Sequence, residues 1–439
     1  MAGALWGCDE PPPNVVVPLD LSVAAVREPV VPPRTPAPEG TAPTATPTVA
    51  PAAPPATPTA PPTPSVTAAP SAPAATGKTP VLFIRAGRCG ECHEHFRKEW
   101  NASAHVKATR SAAFQRSLVA ASDSPGGGGL REACQTCHLP SLHYGQPDEA
   151  PGNPSEGVSC DGCHTLSAVK VEPRGATMTF DPGSGKKYGP IVGATGHYFH
   201  DMAYSALHAK SEVCAGCHHM TALAAGGKLR EVPVVLDYSD WLRVGKGKPC
   251  QDCHMPSRGT EPVARGAKPR PNVPSHGFPG AVALGKATRL EAALRGRPGE
   301  VAVTIQHGAG HMLPSGYVDR RLLLRAEYQG PDGSKLATEE RAFGVFLVDE
   351  AGQPAPFFRA VRVKEERRIA PGRPHTETFV LPQPGVAGAV SVAAAPARVV
   401  FSLVSAPTAP ELRAVYGEPE LAVIKSVTLN LPQRPGGKL

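Results

Sequence analysis

The sequence predicts mostly short helices and irregular loops gathered around five Cys-x-x-Cys-His pentapeptides. An all-β sandwich of immunoglobulin-like type follows, and a disordered Pro/Ala/Thr-rich linker precedes both. Three observations carry this reading: the pentapeptides between Cys89 and His254, the period-two alternation beyond about Thr288, and the narrowed composition from about Pro29 to Pro80. They divide the 439 residues into a leader and start of a tether (1–28), the linker (29–80), the pentapeptide region (81–285) and the β region (286–439).

In the first stretch, Leu5-Trp6-Gly7-Cys8 resembles a bacterial lipoprotein processing box, in which the cysteine becomes the lipidated first residue. The resemblance implies a lipid on Cys8 and attachment to a membrane; the alternative is a plain thiol in an unstructured terminus. The linker has almost no aromatic or charged residues, so it cannot bury enough apolar surface to offset its ordering entropy. Its prolines favour an extended polyproline conformation, which suits a spacer.

The pentapeptides are Cys89-Gly-Glu-Cys92-His93, Cys134-Gln-Thr-Cys137-His138, Cys160-Asp-Gly-Cys163-His164, Cys214-Ala-Gly-Cys217-His218 and Cys250-Gln-Asp-Cys253-His254. Two thiols three residues apart sit on one helical turn, where they can add to the two vinyl groups of a haem. The histidine that follows then lies under the ring as the proximal iron ligand. Chance would supply on the order of 0.01 copies of this pattern. A structural zinc site takes four ligands, commonly thiolates in sets of four, and gives no reason for a histidine after every pair. The expectation is five covalently attached haem c groups held by His93, His138, His164, His218 and His254. Haem c is attached outside the cytoplasm, so the expected location is the periplasm or the outer cell surface.

Of eleven cysteines only Cys8 lies outside the motifs. The formal charge of +7 counts the polypeptide alone. Ten haem propionates would bring it to roughly −3, so the basic balance does not point to nucleic acid. No apolar run is long enough to span a membrane. At about 40 residues per motif the 81–285 region cannot build an ordinary core, and the macrocycles are expected to serve as one. Stretches such as Ser124 to Gly129 and Glu172 to Gly189 show no apolar periodicity. The clearest helix is expected from Glu91 towards Val119.

Beyond Thr288, alternation marks strands at Val301–Ile305, Leu322–Tyr328, Val345–Val348, Ala360–Val363, Val399–Leu403 and Leu421–Leu429. Turns at Arg297–Glu300, Pro331–Gly333, Glu350–Gly352 and Pro371–Gly372 separate them.

A second axial ligand decides what each iron can do. The candidates are His105 after the first motif, His200 and His208 before the fourth, His276 after the fifth, and His311 in the Gly-rich bend Gly308–Gly316. His143 and His197 are reserves. His95, His219, His307 and His375 are less well placed, and Met202, Met220, Met255 and Met312 are weaker alternatives.

Cys89 to Phe278 resembles the cytochrome c-554 family of multihaem cytochromes, relatives of the hydroxylamine oxidoreductase group. The matching runs are the first motif followed by Trp100-x-x-Ser103-x-His105, Gly157-Val-Ser-Cys160, Ser211-Glu-Val-Cys214, Trp241 leading into Cys250–Pro256, and Ser275-His276-Gly-Phe278. Gly310–Gly316 resembles a motif of larger members that carry an added sandwich. Gly245-Lys-Gly-Lys departs from the usual run after the tryptophan. The resemblance implies closely stacked haems, mainly bis-histidine. It favours an electron carrier between a redox protein donor and acceptor, with no catalytic residue assigned. Two alternatives stay open: an oxidoreductase acting on a small nitrogen or sulfur compound at an open iron, and a module whose β region binds a partner.

Overall fold

The pentapeptides all take the helical turn that their spacing requires. Four lie in helices, Leu130–His138, Cys160–His164, Glu212–His218 and Cys250–His254. At the first, just past the Ala86–Cys89 helix, the His93 N–H donates to the Cys89 carbonyl at 2.9 Å. This is a computed structural model. It describes residues 82–432 apart from 125–126, 128, 145, 148–155, 226–227, 246, 298, 383–391 and 393. Cys8 and the 29–80 linker lie outside the described residues.

The long helix expected from Glu91 towards Val119 is two helices, Glu94–Ala102 and Ala112–Ser122. Ser103 ends the first, its backbone extended and its hydroxyl donating back to the Trp100 carbonyl at 2.7 Å. Ser111 starts the second by accepting from the Phe114 N–H at 3.3 Å. A serine that bonds its own backbone competes with helix continuation, and here that outweighs the periodicity. The Glu172–Gly189 stretch is also more regular than expected. Leu166–Glu172 pairs antiparallel with Gly175–Phe180, and Lys186–Gly189 runs parallel to Asp201–Tyr204. The hairpin presses Met178 against the fourth motif at Gly216, a long-range contact that local periodicity does not register.

In the β region two antiparallel sheets share one apolar core. One has the order Thr288–Leu294, Glu300–His307, His375–Val380; the other has Lys335–Phe343, Arg321–Gln329, Arg398–Ala406, Ala422–Asn430. Successive side chains of a strand point to opposite faces, so Val301, Val303 and Ile305 face inward from the first sheet. They meet Leu322, Leu324, Tyr328, Phe401 and Leu403 of the second. Each such side chain contributes about 1.5–3 kcal/mol of burial. Most of the expected strands lie within these, but Ala360–Val363 is displaced to Arg362–Glu366. There the Ala360 N–H is used in a turn to the Pro356 carbonyl. Thr288–Leu294, Lys335–Phe343 and His375–Val380 were not among the expected strands.

The β region is joined to the motif region by backbone and side chains alike. Val318 N–H donates to the Val234 carbonyl at 2.9 Å. Phe358, Leu412 and Tyr416 share a cluster with Ala121, Leu130, Leu223 and Val234. Arg368, 5% exposed, is paired with Asp240, 3% exposed, on the Asp237–Val244 helix.

Candidate functional site

A helical turn aims the motif histidine, and hydrogen bonds then hold its ring. Nδ1 of His93 meets the Val263 carbonyl at 2.6 Å, that of His138 the Ala108 carbonyl at 3.0 Å, and that of His164 the Tyr188 carbonyl at 2.8 Å. His218 differs, its Nδ1 donating to a carboxylate oxygen of Asp237 at 3.0 Å. In each case Nε2 is the ring nitrogen left for a metal, the arrangement that fixes tautomer and ring orientation in ligating histidines.

Four of the five candidate distal histidines lie opposite a motif histidine. Ring centres are 6.3 Å apart for His93 and His200, 6.2 Å for His164 and His276, 6.1 Å for His164 and His208, and 6.3 Å for His254 and His311. The ring planes lie within 27° of parallel. Two imidazoles trans on one metal have ring centres about 6 Å apart, since each nitrogen is about 2 Å from the metal and the ring centre about 1 Å further. A tetrahedral ion would bring them to about 5 Å. The spacing therefore fits an axial pair across a haem iron and is wide for zinc.

His208 and His276 are not equivalent at His164. His208 has both nitrogens engaged, Nδ1 with the Ser205 hydroxyl at 3.0 Å and Nε2 with the Cys163 carbonyl at 2.9 Å. His276 uses only Nδ1, with the Pro274 carbonyl at 3.2 Å. His105 stands over the Gly157–Val158 chain, to which its carbonyl is bound at 3.1 Å. Gly157 has φ +65°, and a Cβ there would come within 2.4 Å of that carbonyl, so glycine is required. His307 is a structural residue, buried, with Nε2 on the Ile369 carbonyl and Nδ1 accepting from the Ala309 N–H. His143 lies in the Pro140–Tyr144 helix, with its side chain outside the described residues.

The surroundings keep these imidazoles neutral, the form that binds a metal. Burial, then the proximity of His218 and His254, push His105 down to about 4. Burial and then His276 push His164 down to about 3. His138, His200, His208, His254 and His276 are lowered mainly by burial. At His218 burial acts in the same direction, but the Asp237 carboxylate outweighs it and the net shift is upward.

The motif thiols approach one another between motifs. Cys89 lies near Cys160, Cys137 near Cys217, and Cys214 near Cys250. Sequence reasoning missed this adjacency, and it missed Asp237, whose only local signal is its position at the start of a helix.

Residues 88–165 match the family model described as cytochrome c554 and c-prime. Among curated proteins no sequence matches. Among solved structures the fold is similar to a penta-heme cytochrome c552 from Thermochromatium tepidum, with a TM-score of 0.58 and 19% identity, over 80% of this chain and 100% of that one. The motif cysteines and paired imidazoles fit covalent haem c: the two thiols of a motif would hold it as thioethers and the imidazoles would supply nitrogen ligands to its iron. Motifs, paired imidazoles and the match at 88–165 together make the motif region similar to multihaem c-type cytochromes, and a β region follows it.

Proposed function

We propose that this is a pentahaem electron carrier working outside the cytoplasm between a redox protein donor and acceptor. The observation that carries the reading is the meeting of motif histidines with distal histidines at axial-pair spacing. When bound, haem supplies an iron that alternates between ferric and ferrous states. The ten motif cysteines anchor it. His93 with His200, His164 with His276 and His254 with His311 would hold the irons, and at those three sites they would leave no position for a substrate. His105 is kept as a distal candidate, its ring set against Phe278 with centres 4.3 Å apart. His208 is assigned to hold the His164 pocket through the Cys163 carbonyl.

The thiol contacts support close stacking of the attached groups. The first motif adjoins the third, the second the fourth, and the fourth the fifth. The two sheets are read as an immunoglobulin-like sandwich that completes the fifth site through His311. Cys8 and the 29–80 segment are read as a lipid anchor and spacer, which an unmodified residue 8 in the mass spectrum of the mature protein would refute.

The test is a haem count and a spin state. A pyridine haemochrome assay should give five haems per chain, and Cys→Ser at any motif should remove one. Three or fewer in the unaltered protein would reject the reading. His311→Ala should keep all five attached while one iron turns from low to high spin. An electron paramagnetic resonance spectrum with no new high-spin signal would detach the β region from the iron sites.

A further inference from the structure

Among the described proximal contacts, Val263, Ala108 and Tyr188 offer neutral carbonyls to His93, His138 and His164, whereas Asp237 offers a carboxylate to His218. A carboxylate accepting an Nδ1–H draws that proton towards itself and leaves the ring partly imidazolate. The opposite nitrogen becomes a stronger donor, which stabilises ferric over ferrous iron.

The second oxygen of Asp237 is also committed. It accepts the Gly316 N–H at 2.7 Å. Gly316 has φ +87° and ends the Gly-rich loop that presents His311 to His254. One carboxylate thus joins the proximal ligand of the fourth motif to the β-region loop carrying the distal candidate of the fifth. The two donors share its charge: with the loop seated, part of the negative charge is spent on Gly316, and with the loop withdrawn it falls on His218.

We propose that Asp237 is a positioning residue that lowers the reduction potential of the iron on His218 and makes that potential depend on how the β-region loop is seated. The proposal rests on haem ligation by His218. It gives the β region a part at two iron sites, one by direct ligation through His311 and one by a shared hydrogen bond. The fourth motif adjoins both the second and the fifth through its thiols, so a shift there reaches the junction of the chain.

The experiment is a spectroelectrochemical titration of the full holoprotein and of Asp237→Asn, with a haem count on each sample. Asparagine keeps the shape and can still accept from either donor, but carries no charge. Expected are five haems, an unchanged number of low-spin irons and one midpoint moved upward, the others holding. Asp237→Glu, which restores the charge, should return that midpoint towards the starting value. Five unmoved midpoints, or five moved alike, would overturn the proposal; too few haems in the unaltered protein would instead overturn the haem reading beneath it. If Asp237→Asn yields no holoprotein, the ferric spectrum of the unaltered protein decides. One low-spin species must stand apart with the stronger axial field of an imidazolate-like ligand, and its absence rejects the assignment. His311→Ala, which removes an anchor of the same loop, should also shift the His218 midpoint, and a strictly unchanged value would break the link to the loop.

Discussion

The motif region and the β region solve the problem of burial in opposite ways. In the β region, strand alternation delivers Val301, Ile305, Leu324, Tyr328, Phe379 and Phe401 to one continuous core. In the motif region the apolar clusters are small, Ala86 with Trp100 and Val106 for one, and the motif histidines and cysteines are mostly half-buried around them. Side chains that repel or desolvate one another there are poor core material unless something else fills the space. The difference teaches that one part carries its own folding free energy and the other borrows it from an attached group.

The largest effect should come from withholding that group. With the ten motif cysteines changed to serine, amides in Arg321–Gln329 and Arg398–Ala406 should keep about 10³-fold protection from hydrogen exchange. Those in Glu212–His218 and Cys250–His254 should fall to within about tenfold of an unfolded peptide. Equal protection in both regions would erase the contrast.

Next is the seam between them. Asp240 and Arg368 are buried against each other, and burial pushes the Asp240 carboxyl up even with its partner present. Arg243 also reaches Asp240, at 2.9 Å, so both arginines must go to strand the charge. Arg243→Ala together with Arg368→Ala should therefore cost about 3–5 kcal/mol in urea unfolding, whereas replacing all three residues by apolar ones of similar volume should cost much less. A loss below about 1 kcal/mol would show that the seam is held by the apolar contacts of Phe358, Leu412 and Tyr416 alone.

The smallest effect is a pH dependence at the same seam. Asp319 is fully buried; burial raises its carboxyl to about 6 from the ordinary 3.8, although the Tyr416 hydroxyl donates to it. A raised carboxyl favours the folded state when protonated. Its contribution is whole below about pH 4 and is lost as pH rises through about 6. The loss amounts to about 3 kcal/mol at most. Asp319→Asn should flatten the stability profile between pH 4 and 8, and a variant that falls as steeply as the parent would refute the assignment.

Much of the fold was legible because its signals are local. A Cys-x-x-Cys-His run writes its own helical turn, and alternation in Val301–Ile305 or Val399–Leu403 names the buried face without reference to any partner. Lys335–Phe343 and His375–Val380 escaped because their charged and polar residues alternate weakly. They are strands because Arg321–Gln329 and Glu300–His307 offer them free edges. The break at Ser103 was missed for the opposite reason, a local hydrogen bond overriding a periodicity that ran on.

By itself the sequence marked which cysteines and histidines stand at haem-attachment spacing, and that His311 sits on a glycine-permitted bend. Only the tertiary structure decided which imidazole faces which. His276 and His208 are both near His164, and what separates them is that the Cys163 carbonyl occupies Nε2 of His208. The same holds for Asp237, whose role exists only where His218 and Gly316 converge on its two oxygens. Proximal ligation is written in covalent neighbours, five residues at a time. Distal ligation and the charge behind a ligand are set by contacts between segments far apart in the chain, which spacing along the sequence does not encode.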